Sequence, residues 1–235
     1  FGYDFKKFKY FAGHSLGEYS ALACVGSISF EDTLKILQKR GKFMQEAVPS
    51  GEGAMLAVLG MSSKELDKIL EMNRKKYECF IANDNSNLQV VVSGLKKDIN
   101  LLSDDLNNKK VKNLKLNVSA PFHCKYMKIA SEKMTDYIND LKMNDLERPI
   151  ISNVTASETN SPKEIRPLLI SQIEKKVRWL ESVEYMINNG VKNFVEIGPG
   201  KVLSGLIKRI NKSVNINSIN SDDDIKLLIN DKFKK

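Results

Sequence analysis

In the run Gly13-His14-Ser15-Leu16-Gly17, one serine lies between two glycines, and Glu18 follows at once. A serine hydroxyl can serve as a nucleophile, and glycines two residues before and after it permit the sharp strand-to-helix turn that presents it at a sheet edge. The helix N-terminus behind such a turn favours negative charge nearby. The same residues also suit a helix cap in a glycine-rich turn, so the motif leaves both roles open for Ser15. A nucleophilic serine needs a base, because an unactivated hydroxyl is hardly ionised near neutral pH. Only His14 and His123 are available. His14 adjoins Ser15, and consecutive side chains on such a turn diverge, which favours a structural role. His123 follows Ser119-Ala120-Pro121-Phe122 in a loop, where functional side chains are often displayed, and is the candidate base. The competing reading is a loop histidine bonded to backbone.

A second candidate comes from helical periodicity. Ser29, with Asp32 three positions on, signals a helix N-terminus, and the helix should run to about Ala47, before Pro49 and Gly51. Rotating it by roughly 100° per residue puts Lys35, Gln38, Lys39, Lys42, Gln45 and Glu46 on one arc. Ile36, Leu37, Gly41, Phe43, Met44 and Ala47 fall on the opposite arc, with Arg40 in its middle. A guanidinium taken out of water must be paired, so Arg40 should meet a buried carboxylate or an anionic ligand.

The elements that would position these residues can be read in order. A short strand at 8–12 leads through the serine turn into a helix over EYSALACV. From 53 to 116 the signals are strand, Ser-capped helix, strand, strand, helix, strand, with a turn at 83–87 joining the middle strands. This βαββαβ order matches a ferredoxin-like subdomain inserted after the serine motif. Helices are expected at 125–141, around 167–173, at 180–189 and at 202–210, with strands at 149–154 and 194–197. The alternation outside the insert predicts an α/β layered core. The tail 221–235, with its Asp222-Asp223-Asp224 run and Lys-rich end, is expected to fray.

Composition narrows the class. With 235 residues, 42% apolar and 28% charged, the chain can bury a large core as one domain, or one carrying a smaller insert. No run approaches the eighteen or so consecutive apolar residues of a membrane span, and any targeting leader would lie upstream of Phe1. Cys24, Cys79 and Cys124 are odd in number and lack metal spacing, which argues against a disulfide framework or metal site and favours a reducing compartment. The net charge of +8 comes from Lys scattered among Asn. It reads as a solvated basic surface, or one that also receives an acidic partner.

Taken together, these residues resemble the malonyl-CoA:acyl carrier protein transacylase family, over about residues 13–210. The motifs that carry the likeness are GHSLGEYSAL, RGKFMQEAVP from Arg40, PFHC around His123, SVEYM from Ser182 and EIGPGKVLSGL from Glu196. The resemblance implies an α/β-hydrolase-like parallel-sheet core over 1–50 and 118–220, with the ferredoxin-like subdomain at 51–117. It implies Ser15 as nucleophile, His123 as base and Gln172 orienting the histidine, largely through its backbone carbonyl. It also implies Arg40 as partner of the malonyl carboxylate and the Leu16 backbone N–H as an oxyanion donor, with His14 beside the substrate. The expected reaction is ping-pong transfer of malonyl from coenzyme A to the phosphopantetheine thiol of acyl carrier protein, through a malonyl-serine. The acidic carrier would dock on the basic surface. No cofactor, metal, nucleic acid or membrane is implied; a monomer is expected, in a bacterial cytoplasm or a plastid-type organelle.

Three other readings compete. A serine esterase or thioesterase would hydrolyse the acyl-serine, although a neutral ester offers nothing to Arg40. A catalytically silent domain that binds carrier protein would share the surface but not the chemistry. RNA recognition by the insert lacks the stacking aromatics it would need in LQVVVSG and VKNLKLN. The family's GQG-type loop, which supplies the other oxyanion donor, is not in these 235 residues. A fragment with low stability and very low activity is therefore the expectation.

Overall fold

Residues 7–229 are described by the structure, a computed structural model. The first strand, β1 (Phe11–Ala12), lies parallel to β6 (Ile150–Ile151) in the register Phe11↔Ile150 and Ala12↔Ile151. On the other side of β6, β7 (Glu158–Thr159) runs antiparallel. A separate pair, β8 (Asn193–Ile197) and β9 (Asn215–Ile219), is parallel over five residues. The strands outside 51–117 are therefore mixed in direction, where a wholly parallel sheet was expected. Strands β7 and β9 were not foreseen, because SETN and NINSI are too polar to signal a strand on their own.

Between these pieces comes β2 (Gly53–Leu59), α3 (Ser63–Met72), β3 (Cys79–Ser86), β4 (Gln89–Leu95), α4 (Lys96–Asn108) and β5 (Asn113–Lys115). Its four-stranded sheet has the order β3-β4-β2-β5, every neighbouring pair antiparallel. Alternation in β2 divides the side chains between two faces. Leu56 and Val58 pack with Val90 and Val92 against Leu66, Ile69, Ile99, Leu102 and Leu106 of the two helices. Met55 and Ala57 pack with Ala82 and Val91 against Leu116 and Phe122, which lead to His123. Each fully buried aliphatic side chain here contributes roughly 1.5–3 kcal/mol. The capping box at Ser62 and Glu65 fixes the start of α3.

Residues 83–86 of the expected turn instead end β3, which leaves the turn at 87–88, with bulges between Ile81 and Asn83 and between Asp84 and Ser86. The reason is tertiary. Asp84 N–H donates to the Val177 carbonyl at 2.9 Å, and Val177 N–H donates to Ala82 at 2.8 Å, so this polar run is paired from outside the sheet.

Helices cover the remaining core. They are α1 (Leu16–Cys24), α2 (Phe30–Gln45, capped by Ser29), α5 (Lys128–Asn139, after a 3-10 turn at Lys125–Met127) and α6 (Pro162–Gln172). Tyr19, Leu22, Ile36, Met44, Met127, Met134, Ile138, Ile150, Ile165 and Leu169 form their shared core. Helix α6 starts five residues earlier than Pro167 suggested. Pro162 takes the first turn, Ser161 caps it, and Pro167 lies inside at the cost of one ladder bond. Then come α7 (Trp179–Asn188), α8 (Val202–Ile210) and α9 (Asp222–Ile229). The tail expected to fray is thus helical over Asp222–Ile229, because its aspartates occupy the favourable first turn and Asp224 N–H is capped by Ser221 Oγ. Residues 230–235 of that tail lie outside the described residues. Among the described residues no helix is long and apolar enough to cross a membrane.

The two motif glycines differ in what they do. A Cβ on Gly13 would lie 1.9 Å from the Gly17 carbonyl carbon, whereas one on Gly17 would meet nothing within 4 Å. Gly13→Ala should therefore lower stability by about 3 kcal/mol or prevent folding, and Gly17→Ala should raise it by up to about 1 kcal/mol. Urea unfolding of the two variants checks this, and equal effects would refute the assignment.

Candidate functional site

Ser15 sits at φ 53° and ψ −105°, directly before the first turn of α1, and its side chain makes no capping bond. Of the two roles left open by the motif, the cap is not the one adopted. Its backbone is instead clamped from β6 and α6. Ser15 N–H donates to Asn153 Oδ1 at 2.7 Å, Asn153 Nδ2 donates to the Gly13 carbonyl at 2.7 Å, and Gln172 Nε2 donates to the Ser15 carbonyl at 3.0 Å.

The Ser15 hydroxyl lies 2.7 Å from His123 Nε2. His123 Nδ1 lies 2.8 Å from the Gln172 backbone carbonyl, which accepts only, so Nδ1 carries the proton and Nε2 is left to accept from Ser15. That carbonyl is at the last residue of α6, where helix carbonyls lack intrahelical partners and the dipole favours positive charge. The loop that holds His123 is seated by Pro121 against Gly53, where a Cβ would come 2.2 Å from Pro121 Cδ. Burial, and the Arg40 charge next, pull the His123 pKa down to about 3, so the imidazole is neutral. A serine donating to an anchored, neutral imidazole has the geometry of a nucleophile and its base.

Arg40 is buried in the apolar arc of α2, as periodicity predicted. Its Nη2 donates to Ser15 Oγ and to Gln172 Oε1, both at 2.9 Å, and its guanidinium lies 5.6 Å from the Tyr19 ring centroid. It makes no ion pair among the described residues, and its Nε has no acceptor. Of the two readings for Arg40, the direct internal salt bridge is absent. Leu16 opens α1, so its N–H has no carbonyl one turn back and is available beside Ser15. His14 diverges from Ser15 as expected. Its Nε2 lies 2.8 Å from Asn85 Oδ1, its ring sits 5.7 Å from that of Trp179, and burial lowers its pKa.

Sequence reasoning missed Glu18, Asn153 and Asn85. Glu18 is fully buried, and its Oε2 accepts from Gln172 Nε2 at 2.6 Å and from Asn153 N–H at 3.2 Å. The available signal was polarity at sites where burial is expected, as at Asn153 closing the apolar strand PIISNV. A cavity of about 600 Å³ includes His123 in its walls but not Ser15, Leu16, Arg40 or Gln172. The hydrogen-bond geometry, rather than cavity size, singles out this site.

Two buried groups give opposite pH dependences. His123, with its ordinary value of 6.5 lowered to about 3, contributes stability that is complete above 6.5 and is lost as pH falls towards 3. Glu18, raised by burial from 4.5 to about 7, contributes stability that is complete below 4.5 and is lost as pH rises through 7. Glu18→Gln should therefore gain on the wild type as pH rises from 4.5 to 8, by about 1 kcal/mol or more. Urea midpoints across that range measure the gain, and a pH-independent difference would contradict it.

The acyl transferase domain model matches residues 7–225. Malonyl CoA-acyl carrier protein transacylase of Bacillus subtilis is 41% identical over 220 residues, covering 93% of this chain and 69% of that protein. The protein of the same name from Staphylococcus aureus (strain MRSA252) is 43% identical over 220 residues, covering 91% of this chain and 70% of its own length. Among solved structures, acyl-carrier-protein-S-malonyltransferase from Bartonella henselae superposes with a TM-score of 0.94 at 37% identity, covering 100% of this chain and 75% of that one. A type II PKS acyl-carrier protein in complex with its malonyl-transacylase gives 0.90 at 36% identity, covering 94% and 72%.

Proposed function

Because the chain belongs to the acyl transferase domain family, we propose that it moves a malonyl group from coenzyme A to the phosphopantetheine thiol of acyl carrier protein, for fatty acid biosynthesis. The observation that carries the site assignment is the three-way contact at Ser15 Oγ, with His123 on one side and Arg40 on the other.

In the first half-reaction the Ser15 proton passes to His123 Nε2 as Oγ attacks the thioester carbonyl. Leu16 N–H donates to the developing oxyanion. Collapse expels the coenzyme A thiolate, which takes the proton from His123 and leaves malonyl-Ser15. The carrier thiol then gives its proton to His123 and attacks the ester, and collapse forms the malonyl thioester and expels the Ser15 oxygen, which takes that proton back from His123. Arg40 pairs with the free malonyl carboxylate through its remaining N–H groups. That pairing also relieves His123 of an unbalanced positive neighbour, so a carboxylate-bearing acyl group makes its own base stronger. The Gln172 carbonyl supports the imidazolium while it exists.

The βαββαβ connectivity and the order β3-β4-β2-β5 support reading 51–117 as a ferredoxin-like subdomain on an α/β-hydrolase-like core. The strand-turn-helix at Ser15 supports the latter, as its strained serine is the feature of a nucleophile elbow. The net charge of +8 favours encounter with an acidic carrier.

Intact-mass spectrometry after incubation with malonyl-CoA tests the assignment. The wild type gains one malonyl group, Ser15→Ala gains none, and His123→Ala loads about 10²–10⁴-fold more slowly. Arg40→Ala loses malonyl loading far more than acetyl loading. Malonyl loading in Ser15→Ala at the wild-type rate would remove Ser15 as nucleophile. Free malonate accumulating in the presence of carrier protein would indicate hydrolysis instead of transfer.

A further inference from the structure

One buried acid near the site takes no part in the steps above. Glu18 lies in the first turn of α1 and reaches Arg40 only through Gln172. The Gln172 side-chain amide is asymmetric in what it faces. Its Nε2 donates to Glu18 Oε2 at 2.6 Å and to the Ser15 carbonyl at 3.0 Å, with Asn153 Oδ1 at 3.4 Å, whereas its Oε1 accepts from Arg40 Nη2 at 2.9 Å. Reversing the amide would set its oxygen against those three oxygens and its NH2 against a guanidinium. Glu18 Oε2 also accepts from Asn153 N–H, so it faces Gln172 as an acceptor whether or not Oε1 carries a proton, and this is the shortest of the three contacts, so Glu18 bears most strongly on the orientation.

The indirect connection matters as much as the orientation. A carboxylate in direct contact with Arg40 would occupy the groups that an acyl carboxylate needs. Placed one amide away, Glu18 fixes the amide that holds Arg40 without filling its anion-binding edge. We propose that Glu18 is a positioning residue for selectivity, holding Arg40 through the Gln172 amide in the setting that favours carboxylate-bearing acyl groups. This rests on the reading of Arg40 as the carboxylate partner.

The test uses second-order rates of Ser15 loading from malonyl-CoA and from acetyl-CoA, followed by intact mass. In Glu18→Gln the residue at 18 can donate or accept, so the shortest of the contacts that fix the amide no longer favours one orientation. The malonyl-to-acetyl rate ratio should fall roughly tenfold, the scale of losing one hydrogen bond to a charged group, and the loss should appear in the malonyl-CoA concentration dependence more than in the plateau rate. Combined with Arg40→Ala, Glu18→Gln should lower the ratio no further, because both act on one interaction. A folded Glu18→Gln that keeps the wild-type ratio overturns the proposal, as does a further fall in the double variant. If Glu18→Gln does not accumulate as folded protein, Gln172→Leu removes the relay and keeps the acid, and an unchanged ratio there overturns the proposal equally. An unchanged ratio in Arg40→Ala alone sinks the Arg40 reading first, and identifies that as the failed step.

Discussion

The site depends on keeping Ser15 in a backbone conformation that L-residues avoid. At φ 53° and ψ −105° the residue carries strain of about 1–3 kcal/mol, and it persists because its neighbours over-determine it. Asn153 holds the turn at both Gly13 and Ser15, and Gln172 holds the Ser15 carbonyl. Asn153 is there because the two-residue register of β1 on β6 brings the end of β6 beside Gly13. The short parallel pair thus has an importance out of proportion to its length, since a shift of one residue would carry Asn153 away from the turn.

Charge is arranged as economically as backbone. The polar groups around Ser15 comprise one cation, one acid and two histidines, of which Arg40, Glu18 and His123 are buried, joined by the amides of Gln172, Asn153 and Asn85. Amides suit this place because each offers donors and an acceptor without a charge to desolvate. The result is a network that tolerates burial while keeping Arg40 free of an internal ion pair. Burial lowers the pKa of both histidines for the same reason that it raises that of Glu18: removal from water disfavours every charged form.

Much of this was legible in the sequence, and the division follows contact distance along the chain. Helices α2, α4 and α8 follow local periodicity, with a Ser29 cap on α2, so their bounds could be read closely, and Arg40 stood out as a charge on an apolar arc. The serine turn was visible as a pattern, and the geometry of Ser15, uncapped and with Oγ against His123, is what sets the cap reading aside. Glu18, Asn85 and Asn153 were marked only by polarity where burial is expected, because the contacts that settle their roles include partners 71 to 154 positions away. The same holds for β7, β9 and the extension of β3, where polar sequence becomes strand only once a distant backbone arrives to pair with it. The tail was misread because a run of aspartates was weighed as charge rather than as a favourable first turn.

Val177 carries one more consequence. It exchanges two backbone hydrogen bonds with Ala82 and Asp84 of β3, five residues after Gln172. The 51–117 segment is therefore stitched to the chain that leads out of α6, in addition to its own two ends. A chimaera that imports this segment from a relative would import a different seam at Val177. Its tolerance would be decided less by the match at residues 51 and 117 than by whether the incoming edge strand keeps the same bulges.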